Sequence, residues 1–587
     1  MSGRASGPLS PRGSARQRLQ PAPAYPPALT AEWADDDLGD QTLYLAWQVA
    51  EWADQGADRP ALLTLFARTL AAVARGSTRL PVDAAARAVL AAAPAVVGAP
   101  GDRRPFILDG HFLYAQRLLA SEDRLVAALT ARARRPSLFP GEALDAAVAG
   151  DAVSTDEQRA AVRAALGRRL AVITGGPGTG KTTVVLALVR ALVRVGVAPE
   201  AIALAAPTGK AANRLDETVR GENPGLPAAQ TLHRLLGYAP RAGAFLRGHH
   251  HRLPQRAVIV DEGSMIDLAL MERLAAAVAD DALLVILGDA DQLPSVEAGA
   301  VFRDLAAEPT AVPVLRLTRS FRMDPARGEG RRILDLARAL RGGEPGGLTP
   351  RDAASDLAFA GTELVPAVER EALLERWYDQ RIAGAPGAED VHPLGENGFA
   401  PADEERLAAL HRHFQSFRLL CLTRGRPTGV ESCNAWLQRR HGDRRTAGSL
   451  SVGAPVIVLR NDYDRGLFNG DQGLVVLVRE GDREPRPMAV FPVGARWSAF
   501  DLDSLRDTIE PAFAMTVHKA QGSEYDDVVL LLPQTPIALL SRELLYTALT
   551  RSRRSVVVCG SAEVLAAGAA RPLTRSSGVA DKLRAAR

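Results

Sequence analysis

Residues 171–184 read AVITGGPGTGKTTV. A short β-branched apolar run ends at Thr174 and passes at once into Gly175, Gly176, Pro177, Gly178, Thr179, Gly180, Lys181, Thr182 and Thr183. The pattern G-x-x-x-x-G-K-[ST] is a strand, a glycine loop and a helix start, and each position has a chemical task. Glycines let backbone N–H groups turn inward as an anion-binding nest, because no Cβ blocks positive φ or the approach of a phosphate. Lys181 is placed to reach the β- and γ-phosphates and Thr182 to bind Mg²⁺, and the helix expected from Thr183 to Val195 adds its dipole. ATP and Mg²⁺ are therefore the expected cofactors, in an α/β domain.

Downstream segments supply what hydrolysis needs. The apolar run Ala257–Val260 reads as a strand that delivers Asp261 and Glu262 to its end; Asp261 would hold Mg²⁺ through water and Glu262 would polarise the attacking water. The strand expected at Leu283–Leu287 runs into GDADQLPSV, where Gln292 is placed to sense the γ-phosphate. Arg322, in LTRSFR, is a candidate γ-phosphate contact, and Arg551, in YTALTRSRR, is an arginine placed in cis to stabilise transition-state charge. Upstream, Ser154 or Thr155 with Glu157 and Gln158 satisfies a capping box, and the Gln158 amide also offers the donor and acceptor that an adenine edge requires.

A second set of residues suits a phosphodiester backbone. The apolar run Ala201–Ala206 ends in PTGKAANRL, a polar turn at a strand's carboxyl end, where open α/β sheets place ligand contacts. TLHRLLG and TVHKAQGSEYD add hydroxyl, imidazole and cationic groups. Lys181, Lys210, Lys519 and Lys582 are the only lysines in an arginine-rich chain, and three of the four fall inside the glycine loop or these motifs. A compact ammonium is retained mainly where the planar guanidinium fork does not fit. His249, His250 and His251 are adjacent and cannot converge on one ion, so they read as a loop.

With 587 residues the chain exceeds the size of one core and should form several domains. Hydrophobic content of 47% and a net charge of +3 suit a globular, mildly basic protein. No apolar run reaches membrane-spanning length, and Cys421, Cys433 and Cys559 read as buried thiols of a reducing cytoplasm. The organisation expected is a disordered tail at 1–30, a helical partner-contact domain at 31–137, the glycine-loop domain at 150–345, and a second domain at 346–587 with an all-β insert at about 446–507. Residues 342–397 show one helical patch, Val365–Ile382, and no chemistry.

In order, TDEQ, GGPGTGKTT, APTGKAANRL, TLHRLLG, VDEGSM, GDADQLPSV, LTRSFR, TVHKAQGSEYD and YTALTRSRR resemble the full motif set of superfamily 1 DNA helicases. Within that group the chain is similar to the RecD family, the alpha subunit of RecBCD (exodeoxyribonuclease V), from about Ser154 to Ser555. The resemblance implies two RecA-like P-loop NTPase lobes with ATP between them, an N-terminal helical domain and a small SH3-like β insert in the second lobe. It implies single-strand contacts at Thr208, His233, Thr516 and His518, with Lys210 in the same motifs. It implies an ATP-dependent helicase moving 5′ to 3′ on single-stranded DNA and entering at duplex ends. The setting implied is double-strand break repair and recombination, in a heterotrimer with RecB-like and RecC-like subunits. The family commonly carries Ala where Gly263 stands, a small-for-small exchange expected to matter little. No nuclease carboxylate cluster is apparent, which assigns the complex's nuclease to another subunit. Two further readings fit the motifs: a stand-alone RecD-like helicase, against which the lack of a long N-terminal extension weighs, and a non-motor subunit whose ATP site regulates assembly.

Overall fold

The computed structural model describes residues 40–54, 56–150, 153–221, 225–320, 328–442, 450–462, 464–494 and 496–586. Arg322 and the tail at 1–30 lie outside the described residues. The chain divides into two compact units, the first comprising the described residues up to Glu122 together with Glu297–Gly299 and Arg575–Gly578.

In that first unit the helices Asp40–Glu51, Arg59–Ala74 and Ala84–Ala91 follow the apolar spacing. The second begins where Asp58 accepts a hydrogen bond from the Ala61 N–H and Pro60 fixes the first turn. The all-helical expectation needs correction, because a four-stranded sheet is also present, ordered Arg79–Pro81, Phe112–Ala115, Phe106–Asp109, Val97–Gly98. These strands are two to four residues long, too short for alternation to show in the sequence. The readable signal was Gly110, whose φ of 57° opens a two-residue turn between Phe106–Asp109 and Phe112–Ala115. Phe66 stacks on Phe106 at 4.2 Å and joins helices to sheet.

The second unit holds two parallel sheets. In the first lobe these are β1 (Leu170–Gly175), β2 (Ile202–Ala206), β3 (Gln230–Thr231), β4 (Ala257–Val260), β5 (Leu283–Gly288) and β6 (Val314–Leu317). They lie in the order β6-β1-β5-β4-β2-β3, every pair parallel. β1, β2, β4 and β5 are buried along their whole length, which is why they read as continuous apolar runs. Helix α1 (Lys181–Arg194) follows β1 and helix α2 (Gly209–Arg220) follows β2, so the loops at the strands' carboxyl ends gather on one edge.

The second lobe repeats the plan with β7 (Thr349–Pro350), β8 (Gly361–Val365), β9 (Phe417–Cys421), β10 (Ala514–Thr516), β11 (Tyr525–Leu531) and β12 (Ser552–Cys559). Their order is β7-β8-β12-β11-β9-β10, again parallel throughout. Helix α3 (Arg542–Leu549) precedes β12. Residues 342–397 are more ordered than the sequence suggests: they supply β7 and β8, and the expected helical patch runs from Ala367 to Ile382 as a 3₁₀ turn, an α-helix and a π turn, starting after Val365 because that residue ends a strand and Pro366 follows it. The expected β insert is a separate sheet of seven strands. It draws on Val391–Gly395 and Gly398–Phe399 as well as on the strands between Pro455 and Pro511. Cys421, Cys433 and Cys559 are buried thiols, and among the described residues no helix is long and apolar enough to cross a membrane.

Candidate nucleotide cleft

The glycine loop forms as the sequence predicts. Gly178 and Gly180 have φ of 72° and 78°, which no Cβ obstructs. The Thr179 hydroxyl donates to the Gly176 carbonyl at 2.9 Å, and the Lys181 ammonium donates to the carbonyls of Gly175 at 2.7 Å and Gly176 at 3.2 Å. These carbonyl contacts hold Lys181 folded over its own loop, from which it can turn to a phosphate. Gln158 is buried behind the loop: its amide oxygen accepts from the Thr155 N–H at 3.0 Å and its Nε2 donates to the Thr179 carbonyl at 3.4 Å. The capping box is present, and a Cβ on Gly180 would come within 2.3 Å of Gln158 Nε2, so this side chain braces the loop. Gln158 does not line the cleft.

Pro177, Gly178, Gly180, Lys181, Thr182 and Thr183 face Asp261, Glu262 and Gln292 across the first lobe's part of the cleft. Burial and the neighbouring Glu262 carboxylate push Asp261 up to about 6, opposed by Lys181. The Glu262 N–H donates to Asp261 Oδ1 at 2.8 Å, and Glu262 itself sits at φ 54°, ψ 39°, a left-handed conformation. Its Oε2 is buried with no hydrogen-bond partner among the described residues. Two carboxylates and a threonine hydroxyl fit Mg²⁺, which binds few protein ligands and completes its shell with phosphate oxygens and water. Asp261 and Thr182 would hold it, and the metal would draw the Asp261 proton off.

Gly263 departs from expectation. A Cβ there would lie 2.6 Å from Ile286 Cγ2, 2.8 Å from Phe302 Cδ2 and 3.0 Å from the Leu287 carbonyl oxygen. The exchange with Ala is therefore not neutral in this chain: Gly263 makes room for Phe302 behind the acidic pair.

The second lobe completes the cleft with Gly522, Glu524 and Arg551. Arg551 is buried, its guanidinium aligned by the Thr547 carbonyl at 3.1 Å and the Ser523 carbonyl at 3.2 Å. Glu524 pairs with Arg214 of the first lobe at 2.5 Å and with Arg553 at 2.7 Å. Sequence reasoning assigned neither Arg214 nor Glu524; the available signal was their position inside the APTGKAANRL and GSEYD segments already marked for ligand contact.

The residues expected to meet DNA are not gathered at the cleft. The Thr208 hydroxyl caps α2 by accepting from the Ala211 N–H at 3.3 Å, and a Cβ on Gly522 would lie 3.8 Å from it. The Lys210 ammonium sits 5.6 Å over the Tyr525 ring, and burial lowers its pKa. Thr516 accepts from the Lys519 N–H at 3.3 Å, and the Lys519 ammonium pairs with Glu510 at 2.8 Å. His518 is half-buried. His233 is exposed and packs at 5.4 Å and 5.6 Å on Tyr238 and Phe245, which face each other in a short hairpin flanked by arginines. Basic residues interleaved with rings make this hairpin a candidate stacking surface, and the spacing YAPRAGAF was the overlooked signal.

Two RecA-like lobes that share one phosphate cleft, with an arginine from the second facing the glycine loop of the first, define a P-loop ATPase of the helicase type. Residues 158–298 match the AAA domain family model and residues 511–559 the UvrD-like helicase C-terminal domain. The RecBCD enzyme subunit RecD of Mycobacterium tuberculosis is 38% identical over 509 residues, 81% of this chain and 81% of its own length. That of Mycolicibacterium smegmatis is 38% identical over 521 residues, 85% and 86% of the two chains. The ATP-dependent RecD2 DNA helicase of Deinococcus radiodurans is 34% identical over 440 residues, 73% of this chain and 52% of that protein. The chain belongs to the RecD family.

Proposed function

We propose that this chain is an ATP-dependent DNA helicase subunit of a RecBCD-type complex, moving 5′ to 3′ on single-stranded DNA in double-strand break repair and recombination. The observation that carries the reading is the shared cleft: the glycine loop and Asp261–Glu262 from one lobe, Arg551 and Glu524 from the other. ATP hydrolysis is thereby tied to the fit between lobes, which is what converts turnover into movement. When bound, Mg–ATP supplies the scissile phosphoanhydride. The loop N–H groups and Lys181 hold its phosphates, Glu262 takes the proton of the attacking water at its carboxylate, and Gln292 and Arg551 receive the developing charge. Gln158 is assigned the adenine end and Arg322 the γ-phosphate on family resemblance. Thr208, Lys210, His233, Thr516 and His518 are assigned the DNA strand on the same ground. Partners of this reading are single-stranded DNA, duplex ends, and RecB-like and RecC-like chains.

A second reading, a stand-alone RecD-like helicase, is kept by the 34% identity to a Deinococcus protein named as a DNA helicase and not as a RecBCD subunit. Unwinding of duplexes with a 5′ or a 3′ single-stranded tail by the purified chain tests polarity, and unwinding confined to the 3′-tailed substrate would overturn the first reading's direction. Co-purification with RecB-like and RecC-like chains separates subunit from solitary motor. A chain with no DNA-stimulated ATPase would sink both.

A further inference from the structure

The helix Gly328–Gly342 packs its Ile333, Leu336 and Leu340 into the core of the second lobe, so that lobe begins before the boundary expected at 345. With it the second lobe grips one turn of the first lobe, Asp289 to Leu293, at four points. The Tyr546 hydroxyl donates to Asp289 Oδ2 at 3.2 Å, and the Thr547 hydroxyl accepts from the Leu293 N–H at 2.7 Å. Gln521 Nε2 donates to the Leu293 carbonyl at 2.7 Å, and Arg341 pairs with Asp291 at 3.2 Å. Three of these contacts hold the backbone or the rim of the turn. The Tyr546 contact differs, because its acceptor is the carboxylate that also holds Gln292.

Asp289 is 1% exposed, and its hydrogen bonds come from neutral donors. Gln292 Nε2 donates to Oδ2 at 3.0 Å, the same oxygen that Tyr546 uses, and the Asp291 N–H donates to Oδ1 at 3.1 Å. Burial raises the Asp289 pKa and the Lys181 charge opposes that rise, so each donor that the carboxylate loses weakens its hold on Gln292. Gln292 in turn lines the cleft, and its amide is oriented by the Asp289 oxygen. Tyr546 is 2% exposed, and a Cβ on Gly176 would lie 3.4 Å from its hydroxyl, so the same oxygen atom lies over the phosphate loop.

We propose that Tyr546 is a positioning residue: by donating across the cleft to Asp289 it sets the Gln292 amide, so that Gln292 reaches its working orientation only when the second lobe is seated. The inference rests on the cleft being the site of ATP hydrolysis. It assigns Tyr546 no contact with the reacting atoms. It makes the hydroxyl the part of the second lobe by which closure is reported to the first.

Tyr546→Phe keeps the ring and its burial and removes the one bond. With the full-length chain and saturating single-stranded DNA, ATP turnover should fall about tenfold with the KM for ATP changed less than about twofold. The loss should also vanish in the absence of its target: Tyr546→Phe combined with Gln292→Ala should be no slower than Gln292→Ala alone. Unchanged turnover in Tyr546→Phe, or losses that multiply in the double variant, would overturn the proposal. Should Tyr546→Phe fail to fold, Asp289→Asn, which keeps the shape and weakens both bonds at Oδ2, must show the same loss confined to kcat. A wild-type chain with no ATP turnover would overturn the cleft reading instead, so the two failures are distinct.

Discussion

β1 and β8 occupy the same place in their sheets, second in the orders β6-β1-β5-β4-β2-β3 and β7-β8-β12-β11-β9-β10. After β1 the chain turns through Gly175–Gly180 into a helix that begins at Lys181. After β8 it meets Pro366, which has no N–H to offer a phosphate, and a 3₁₀ turn, Ala367–Glu369, leads straight into the helix that begins at Arg370, with no glycine loop between. One topology thus carries a phosphate site in the first lobe and none at the matching position of the second. The sheet sets where strand ends gather; the loop chemistry decides what they bind. The second lobe's contribution is made by side chains on segments remote in sequence from the glycine loop: Arg551 lines the cleft, while Glu524 reaches Arg214 and Tyr546 reaches Asp289 across it.

The sharpest way to break this division is Lys181→Gln. Turnover of ATP should fall by about 10²–10³-fold, because the clamp on the transferring phosphoryl group is lost. A variant that still hydrolysed ATP at near wild-type rate would mean that phosphate chemistry lies elsewhere. Next comes Arg551→Lys, which keeps the charge but cannot span both the Thr547 and Ser523 carbonyls. We expect turnover lower by about 10²-fold with nucleotide binding retained, measured by a fluorescent nucleotide. Equal losses in binding and turnover would make the second lobe a co-owner of the phosphate site.

Gly263→Ala probes the packing behind the acidic pair. Crowding against Ile286 and Phe302 should cost about 1–3 kcal/mol in denaturant unfolding. A variant of unchanged stability would show that Phe302 can swing away.

The smallest effect contrasts the lobes by pH. Burial pushes His411, in the second lobe, down to about 4, so the folded chain stays neutral there while the unfolded chain takes up a proton near its ordinary value of about 6.5. Stability from this site is full above that value and is lost as pH falls towards about 4. Asp261 in the first lobe, raised to about 6, runs the other way: its metal-free contribution is full below the ordinary carboxylate range and is lost as pH rises through about 6. His411→Gln should flatten the fall in melting temperature on acidification by a few degrees; an unaltered slope would remove His411 as its source.

What the sequence showed and what it hid follow the same division. The glycine loop, Asp261–Glu262 and the strands that deliver them are contiguous, and buried parallel strands announce themselves as apolar runs. The Arg214–Glu524 pair joins residues 214 and 524, and the Tyr546 bond joins 546 to 289; no local pattern encodes such a meeting. The short strands at 79–115 and 349–365 were hidden for a different reason, since two to five residues carry no measurable period. Gln158 was legible as a cap, and the structure adds a task no local pattern encodes, the brace behind Gly180.

Glu262 is a carboxylate placed where glycine would rest more easily, at φ 54° and ψ 39°. An L side chain there costs roughly 1–2 kcal/mol that Gly would not. A search for heat-tolerant variants, scored by melting alone, would therefore be drawn to Glu262→Gly and, if Glu262 has the role proposed for it, would be rewarded with sturdier, idle motors. Any programme that seeks a more robust enzyme from this chain has to hold position 262 fixed and look for its gains elsewhere.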